Sequence, residues 1–446
     1  MTTHLGWSLA AVAAACGGEL HGPADLAIGR VGIDSRHVEA GELFVAVAGE
    51  TFDGHDFAAD AIESGAAAVV VDAAAGVDSV PRIVVADTLA ALRDLAAKRR
   101  AELATPVVAI TGSSGKTSTK DMLAAALPGA WASPRSFNNE VGVPLTVLQT
   151  PDDCRYLVVE VGSRGVGHID WLMPAVRPDV AVITNLGVVH LETFGSEERL
   201  ADAKWELAAG LATGGTVVLP AGEPRLARPH DGPIITFGGE AAAQVRFTDV
   251  VLDGSGRPSF TLRTPYGTRS VQLAMAGHHQ AANASAAVAA GLALGVDLDT
   301  LVAGLERAAG SPWRMEIHRG SLTVVNDAYN ANPDSVEAAL RTVAELPGRH
   351  IAVLGRMAEL GPVEASEHVR IGQLAAQLGY AAVVVVGDDA GIAAGSGRLA
   401  RPVPDAATAN VVLRDYLRDG DVVLVKASRA VGLETLALGL AEEYAL

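Results

Sequence analysis

The chain has 446 residues, 49% of them hydrophobic, with 34 basic against 52 acidic side chains and a formal charge of −18. That acidity argues against nucleic-acid binding, which needs a basic face to displace counterions, and no apolar run reaches the roughly 20 residues that cross a bilayer. At about 150 residues per domain the length predicts three domains, while Cys16 and Cys154, far apart and without Cys-x-x-Cys spacing, support neither a disulfide framework nor a zinc site. Met1 to Leu20 lacks a basic leader and contains Gly17-Gly18-Glu19, so the expectation is a soluble cytoplasmic protein without a signal peptide or membrane contact.

The first hundred residues alternate short β-like runs (Leu43 to Val47, Ala67 to Val71, Arg82 to Val85) with a helical stretch from Leu89 to Leu103. This predicts a small α/β domain over 1–104. Thr105-Pro106 then stops the helix, because proline disfavours helix in the residue before it and donates no hydrogen bond. From 105 to 312 apolar strands (Leu157 to Val161, Val180 to Asn185, Thr216 to Leu219) alternate with polar loops and Ala-rich helices such as Gln280 to Leu294. That pattern predicts a largely parallel sheet covered on both faces, with ligands beyond its carboxyl ends. Thr111, Glu160 and Asn185 to His190 fall at such ends. Ala308-Ala-Gly-Ser-Pro312 reads as a hinge. Strands at Leu322 to Asn326, Ile351 to Leu354, Ala382 to Val386 and Val422 to Val425 give 313–446 a second, Rossmann-like alternation, without the Gly-x-Gly-x-x-Gly of a dinucleotide site. The fold class is therefore α/β in three domains.

The most informative stretch is Val107-Val-Ala-Ile-Thr-Gly-Ser-Ser-Gly-Lys-Thr-Ser118. An apolar strand enters a glycine-rich turn and then Lys-Thr at a helix start, where free backbone N–H groups and a partial positive charge stabilise phosphate oxygens. Gly112 and Gly115 let the backbone wrap closely. Lys116 would reach the β- and γ-phosphates, and Thr117 would offer its hydroxyl to Mg²⁺. Ile110 stands where the common phosphate-loop pattern has its first glycine, so this is a shorter Thr-Gly-x-x-Gly-Lys-Thr variant.

Other positions are ambiguous on their own residues. Glu160 ends a buried-looking strand beside the loop, and a carboxylate plus a hydroxyl is a normal protein share for Mg²⁺. A strand-end glutamate is more often a surface residue or cap. His190 alone is not a typical Mg²⁺ ligand, and Lys204 reads most simply as an exposed helix lysine.

Taken together, Thr111 to Thr117, Phe137-Asn-Asn-Glu-Val-Gly-Val-Pro-Leu145, Glu160, His190-Leu-Glu-Thr-Phe-Gly195, Lys204 and Ser311-Pro-Trp-Arg314 resemble the Mur ligase family of ATP-dependent amide-bond-forming enzymes. Asp34-Ser-Arg36, Phe52-Asp-Gly-His55, Gly355-Arg-Met-Ala-Glu-Leu-Gly361 and His368 fit as well. Asp327-Ala-Tyr-Asn-Ala-Asn-Pro333 resembles the signature of the branch that adds D-alanyl-D-alanine to UDP-N-acetylmuramoyl tripeptide.

The resemblance implies ATP and Mg²⁺ as cofactors and a monomer. It assigns the nucleotide to Thr111, Gly112, Ser113, Ser114, Gly115, Lys116, Thr117 and Ser118, with Asn283 near the adenine or phosphates, Arg314 reaching the γ-phosphate, Asp327 on the ribose, and Tyr329 and Asn330 bordering the adenine. Thr117, Glu160, His190 and Lys204 become the metal set. Lys204 is carboxylated by CO₂ in relatives, which requires a neutral amine against a free pKa of about 10.4. Lys116, His190, Lys204 and Arg314 carry the catalysis. Ser35 and Arg36 are expected on the uridine diphosphate and Asn138 and Asn139 on the diphosphate or muramoyl group, although Asx residues in loops are usually turn formers.

One departure is Pro220-Ala-Gly-Glu-Pro224, where many relatives carry an Asn-x-Asp-Asp loop. Three other readings compete. A ligase adding diaminopimelate or lysine resembles an Asp-Asn-Pro-Arg signature that this chain lacks, and folylpolyglutamate synthase lacks the UDP-sugar handle suggested by Asp34-Ser-Arg36. A nucleotide-dependent regulatory protein would have no need of a second-metal ligand.

Overall fold

Val107–Thr111 is fully buried and bonds on both sides to parallel strands, Tyr156–Glu160 and Val180–Ile183. A computed structural model describes residues 4–49, 52–72, 77, 80–187, 191–387 and 389–445. The register pairs Glu160 with Ile110 and Ile183 with Thr111, so three strands end at one level and their next residues share one rim.

The pleat divides this sheet by parity. Val107, Ala109, Leu157, Val159 and Ala181 face one core, whereas Val108, Ile110, Val158, Val180 and Val182 face another. The first core is completed by Thr88–Glu102, a helix of the N-terminal region capped by Asp87, whose Leu92 and Leu95 are fully buried against the helices Gly142–Leu148 and His168–Val176. Arg99 and Arg100 add hydrogen bonds to the Thr150 and Val176 carbonyls at 2.7 and 2.9 Å. The second core holds the phosphate-loop helix Lys116–Ala126 against Gln280–Ala293 and Leu298–Arg307.

Among the described residues the central sheet has nine strands, and five of them were not anticipated, Ala130–Ala132 and Ile234–Gly238 among them. Val245–Leu252, Pro258–Thr264 and Gly267–Gln272 form an antiparallel meander at its edge, where the other strands are parallel. Its inward residues Val245, Phe260, Leu262 and Val271 alternate with exposed polar ones, as expected of a sheet with one wet face. The N-terminal five-stranded and C-terminal six-stranded sheets are likewise parallel with one antiparallel edge, Glu19–His21 and Glu316–Arg319 respectively. In the C-terminal sheet Thr323–Asn326 and Asp421–Lys426 are neighbours, so Asp327 and Lys426 emerge together at the carboxyl ends.

The buried clusters of the C-terminal region draw only Ala276 from before residue 312 among the described residues. By contrast, the N-terminal region and the central sheet share a core.

Candidate active site

A cavity of about 890 Å³ opens where the carboxyl ends of the central and C-terminal sheets face each other. Its floor is the phosphate loop. Gly112 and Gly115 have φ of 146° and 76°, and a Cβ on them would stand 1.9 Å from Thr184 Oγ1 and 2.4 Å from Asn283 Oδ1. Only glycine fits that backbone and that space. Thr184 Oγ1 donates to the Ser114 carbonyl at 2.6 Å. Asn185 Oδ1 accepts from the Ser114 N–H at 2.9 Å, and its Nδ2 donates to Ser114 Oγ at 2.6 Å. The strand Val180–Ile183 thus clamps the loop from the side.

Ser113, Ser114, Gly115, Lys116, Thr117 and Ser118 line the cavity. Thr111 and Gly112 do not; Thr111 is wholly buried at the base of the loop and its carbonyl accepts from the Thr184 N–H at 2.9 Å. Lys116 Nζ donates to the Gly112 carbonyl at 2.7 Å. Burial holds its pKa below the usual lysine value, with Arg314 acting in the same sense and Glu160 opposing.

Glu160 is 1% exposed, which overturns the surface reading. Its Oε1 accepts from Asn138 Nδ2 at 2.7 Å, and its Oε2 is buried without a partner among the described residues. An orphaned carboxylate oxygen in a cavity that Thr117 also lines fits a hard cation that takes oxygen ligands. No group of three His, Cys, Asp or Glu that could hold a metal occurs among the described residues. His190 lies outside them.

Lys204 is 2% exposed, so its reading as a solvent-facing helix lysine is also corrected. It projects from Glu197–Ala209 and stands 5.9 Å from the Phe194 ring centroid. Burial drives its pKa well below the usual value, and the Lys116 charge adds to this. That shift favours the neutral amine, the form that reaction with CO₂ requires.

The opposite wall comes from the C-terminal region. Arg314 lies with its guanidinium carbon 4.1 Å from the Tyr329 ring centroid and donates from Nη2 to Ser136 Oγ at 3.1 Å. Asp327 accepts from the Met315 N–H at 3.0 Å and pairs with Lys426 Nζ at 2.6 Å. Asn330 and Tyr329 line the same wall, and Asn283 faces them, its Nδ2 donating to Gln280 Oε1 at 2.9 Å. Burial lowers the His279 pKa to about 4. His279 as a residue is only partly buried, but its Nδ1 is enclosed and unpartnered among the described residues.

Asn138 and Asn139 also line the cavity, although Asn139 Oδ1 is engaged by the Gly142 N–H at 2.8 Å in the turn role common for Asx residues. Ser35 and Arg36 are not brought there. They sit in a short helix capped by Asp34, whose carboxylate Arg36 grips with two 2.8 Å hydrogen bonds. His368 is buried between Asp389, at 2.7 Å, and the Met357 backbone, and therefore supports the Gly355–Gly361 loop from behind. Where relatives carry an Asn-x-Asp-Asp loop, Glu223 caps the turn Pro224–Leu226 and Arg225 forks onto Glu223 while donating to the Leu186 carbonyl at 3.2 Å.

Ser136, Thr184, Lys426 and the pair His168–Glu140, 2.9 Å apart, were missed from sequence. The signal for Thr184 and Lys426 was available: each lies at the carboxyl end of a buried parallel strand.

A phosphate loop on one sheet and an arginine from another domain across a shared cleft define a nucleotide-dependent enzyme that works between domains. Three family descriptions match in chain order: "Mur ligase family, catalytic domain" over 27–100, "Mur ligase middle domain" over 110–291, and "Mur ligase, glutamate ligase domain" over 313–429. The chain belongs to the Mur ligase family. It is 38% identical to the UDP-N-acetylmuramoyl-tripeptide--D-alanyl-D-alanine ligase of Mycobacterium tuberculosis, over 92% of this chain and 91% of that one. The crystal structure of MurF from Acinetobacter baumannii superposes with a TM-score of 0.90 at 32% identity, covering 99% of this chain and 100% of the other. That of MurF from Thermotoga maritima in complex with ADP gives 0.84 at 29% identity, covering 93% and 97%.

Proposed function

We propose that this chain joins D-alanyl-D-alanine to UDP-N-acetylmuramoyl tripeptide at the expense of ATP, a cytoplasmic step of peptidoglycan precursor synthesis. The observation that carries this is the 38% identity, over 92% of the chain, to a ligase named for that reaction. The arrangement of Lys116, Glu160, Lys204 and Arg314 around one cavity is consistent with it.

In the first step a carboxylate oxygen of the tripeptide bonds to the γ-phosphorus of ATP, the bond to the bridging oxygen breaks, and ADP leaves an acyl phosphate. Two anions must approach, so Lys116 and Arg314 act by neutralising and orienting them. The loop N–H groups hold the phosphates, and Lys116 exchanges its bond to the Gly112 carbonyl for phosphate oxygens. Thr117, Glu160, His190 and carboxylated Lys204 would hold Mg²⁺, which supplies further charge neutralisation. In the second step the dipeptide amine forms the amide bond, the acyl–oxygen bond breaks, phosphate leaves, and the surplus amine protons pass to solvent.

We divide the chain at 1–104, 105–312 and 313–446, give the uridine diphosphate to Ser35, Arg36 and the N-terminal domain, give the diphosphate or muramoyl group to Asn138 and Asn139, and leave the adenosine to Asn283, Asp327, Tyr329 and Asn330. The protein acts as a monomer. No helix among the described residues is long and apolar enough to cross a membrane.

The test is phosphate release on mixing ATP, Mg²⁺, UDP-N-acetylmuramoyl tripeptide and D-alanyl-D-alanine, with a pentapeptide product. Release that is unaffected by omitting the dipeptide, with no such product, refutes the proposal.

A further inference from the structure

Lys426 is the last residue of Asp421–Lys426 and is 3% exposed, deep in the wall that carries Arg314. Its ammonium donates to Asp327 Oδ2 at 2.6 Å and to the Asn330 carbonyl at 2.9 Å. It therefore ties both ends of the turn that holds Tyr329. Pairing and hydrogen bonding of this kind offset the cost of burying a charged side chain.

Asp327 and Tyr329, the tied residue and the one held between the two ties, both touch the arginine segment. Asp327 Oδ1 accepts the Met315 N–H at 3.0 Å, and the Tyr329 N–H donates to the Trp313 carbonyl at 3.1 Å. The Tyr329 ring lies under the Arg314 guanidinium at 4.1 Å. Trp313 and Met315, on either side of Arg314, have φ of 60° and 50°. Side-chain-bearing residues hold that left-handed backbone only when their surroundings impose it, and here the imposing contacts run through the turn that Lys426 grips.

We propose that Lys426 is a positioning residue for Arg314, presetting the Trp313–Met315 bend by way of Asp327 and Asn330 so that the guanidinium points into the cavity before the nucleotide arrives. This rests on the ligase reading of the site. Removing the ammonium frees Asp327 from its pair and loosens both anchors of the bend. Arg314 then samples other directions, and the loss falls on the step in which it meets the γ-phosphate rather than on capture of ATP.

The test is a double-mutant cycle with Arg314→Ala, read as single-turnover ADP formation and as KM for ATP on the full-length chain. Lys426→Met is expected to slow ADP formation about 100-fold in the parent with little change in KM. In the Arg314→Ala background the same substitution should cost less than about 3-fold, because the group it serves has gone. Lys426→Arg keeps the charge and covers the case in which Lys426→Met does not fold. Its bulkier fork does not match two acceptors set for a compact ammonium, so it should lose about 10-fold in the parent and, again, little with Arg314→Ala. Equal losses in both backgrounds, or a rise in KM that survives Arg314→Ala, would overturn the assignment. Failure of the parent to form ADP overturns the ligase reading and this inference together, whereas an active parent with an additive cycle sinks only the role of Lys426.

Discussion

Thr117 Oγ1 lies 3.2 Å from Ser136 Oγ at the start of the phosphate-loop helix. Ser136 also accepts the 3.1 Å hydrogen bond from Arg314, so one hydroxyl joins the residue expected on the metal to the arginine expected on the γ-phosphate. When Thr117 turns a lone pair to a cation, its proton needs an acceptor, and Ser136 is in place. Ser136→Ala should lower kcat about 10-fold and raise the Mg²⁺ concentration required, both through loss of this hydrogen bond. A Mg²⁺ titration that superposes on the parent would remove Ser136 from the metal site.

Lys204→Met should abolish turnover and raise Tm. The folded pKa of Lys204 is depressed by burial, so between it and the free value the unfolded chain binds the extra proton and stability rises with pH. The penalty is therefore fully present below the folded pKa and fades as pH approaches the unfolded one. The gain in Tm should be largest at low pH. A fall in Tm would refute this, and Lys204→Ala turnover without added small carboxylates would refute the carbamate.

His279 has the same sign and a different window. Its pKa of about 4 against 6.5 unfolded means that stability is lost as pH falls from about 6.5 to 4, by no more than about 3 kcal/mol because the residue is only partly buried. In His279→Gln that part of the acid-induced loss should disappear from urea melts. Parallel pH profiles for parent and variant would contradict it.

Gly115→Ala should destabilise the protein by about 1–3 kcal/mol and abolish nucleotide binding, since a methyl there needs a left-handed backbone and the space of Asn283 Oδ1. Calorimetric titration with ADP and Mg²⁺ checks the second point, and parent-like affinity would be decisive against it.

Arg314→Lys keeps the charge but loses the planar stack on Tyr329 and the fork. It should impair kcat at least about 10-fold while leaving KM for ATP near that of the parent. Identical steady-state constants would contradict a role in closure.

Much of the site was legible because its residues sit at strand ends and turns that sequence marks clearly. Thr111 to Thr117 declares itself through glycine spacing, and Glu160 through its place after an apolar run. The burial of Lys204 was not legible. A lysine on an amphipathic helix looks the same whether its tip reaches water or the floor of a cleft, and only the tertiary packing that buries it 5.9 Å from the Phe194 ring centroid decides. The meander from Val245 to Gln272 escaped for a related reason: its half-polar strands lack the apolar density of the buried parallel ones. Lys426 belonged to a run, Asp421-Val-Val-Leu-Val-Lys426, whose register against Asn326 depends on tertiary pairing.

Because helix Thr88–Glu102 completes the core of the central sheet, residues before Pro106 cannot be trimmed away without stripping Leu92 and Leu95 of their neighbours. A shortened gene product starting at the phosphate-loop strand would display a greasy face and precipitate, whereas one ending near residue 312 would retain its interior. Clipping by a protease in residues 308–312 should accordingly yield two soluble pieces, the larger keeping the phosphate loop and the smaller the wall of Arg314, Asp327 and Tyr329.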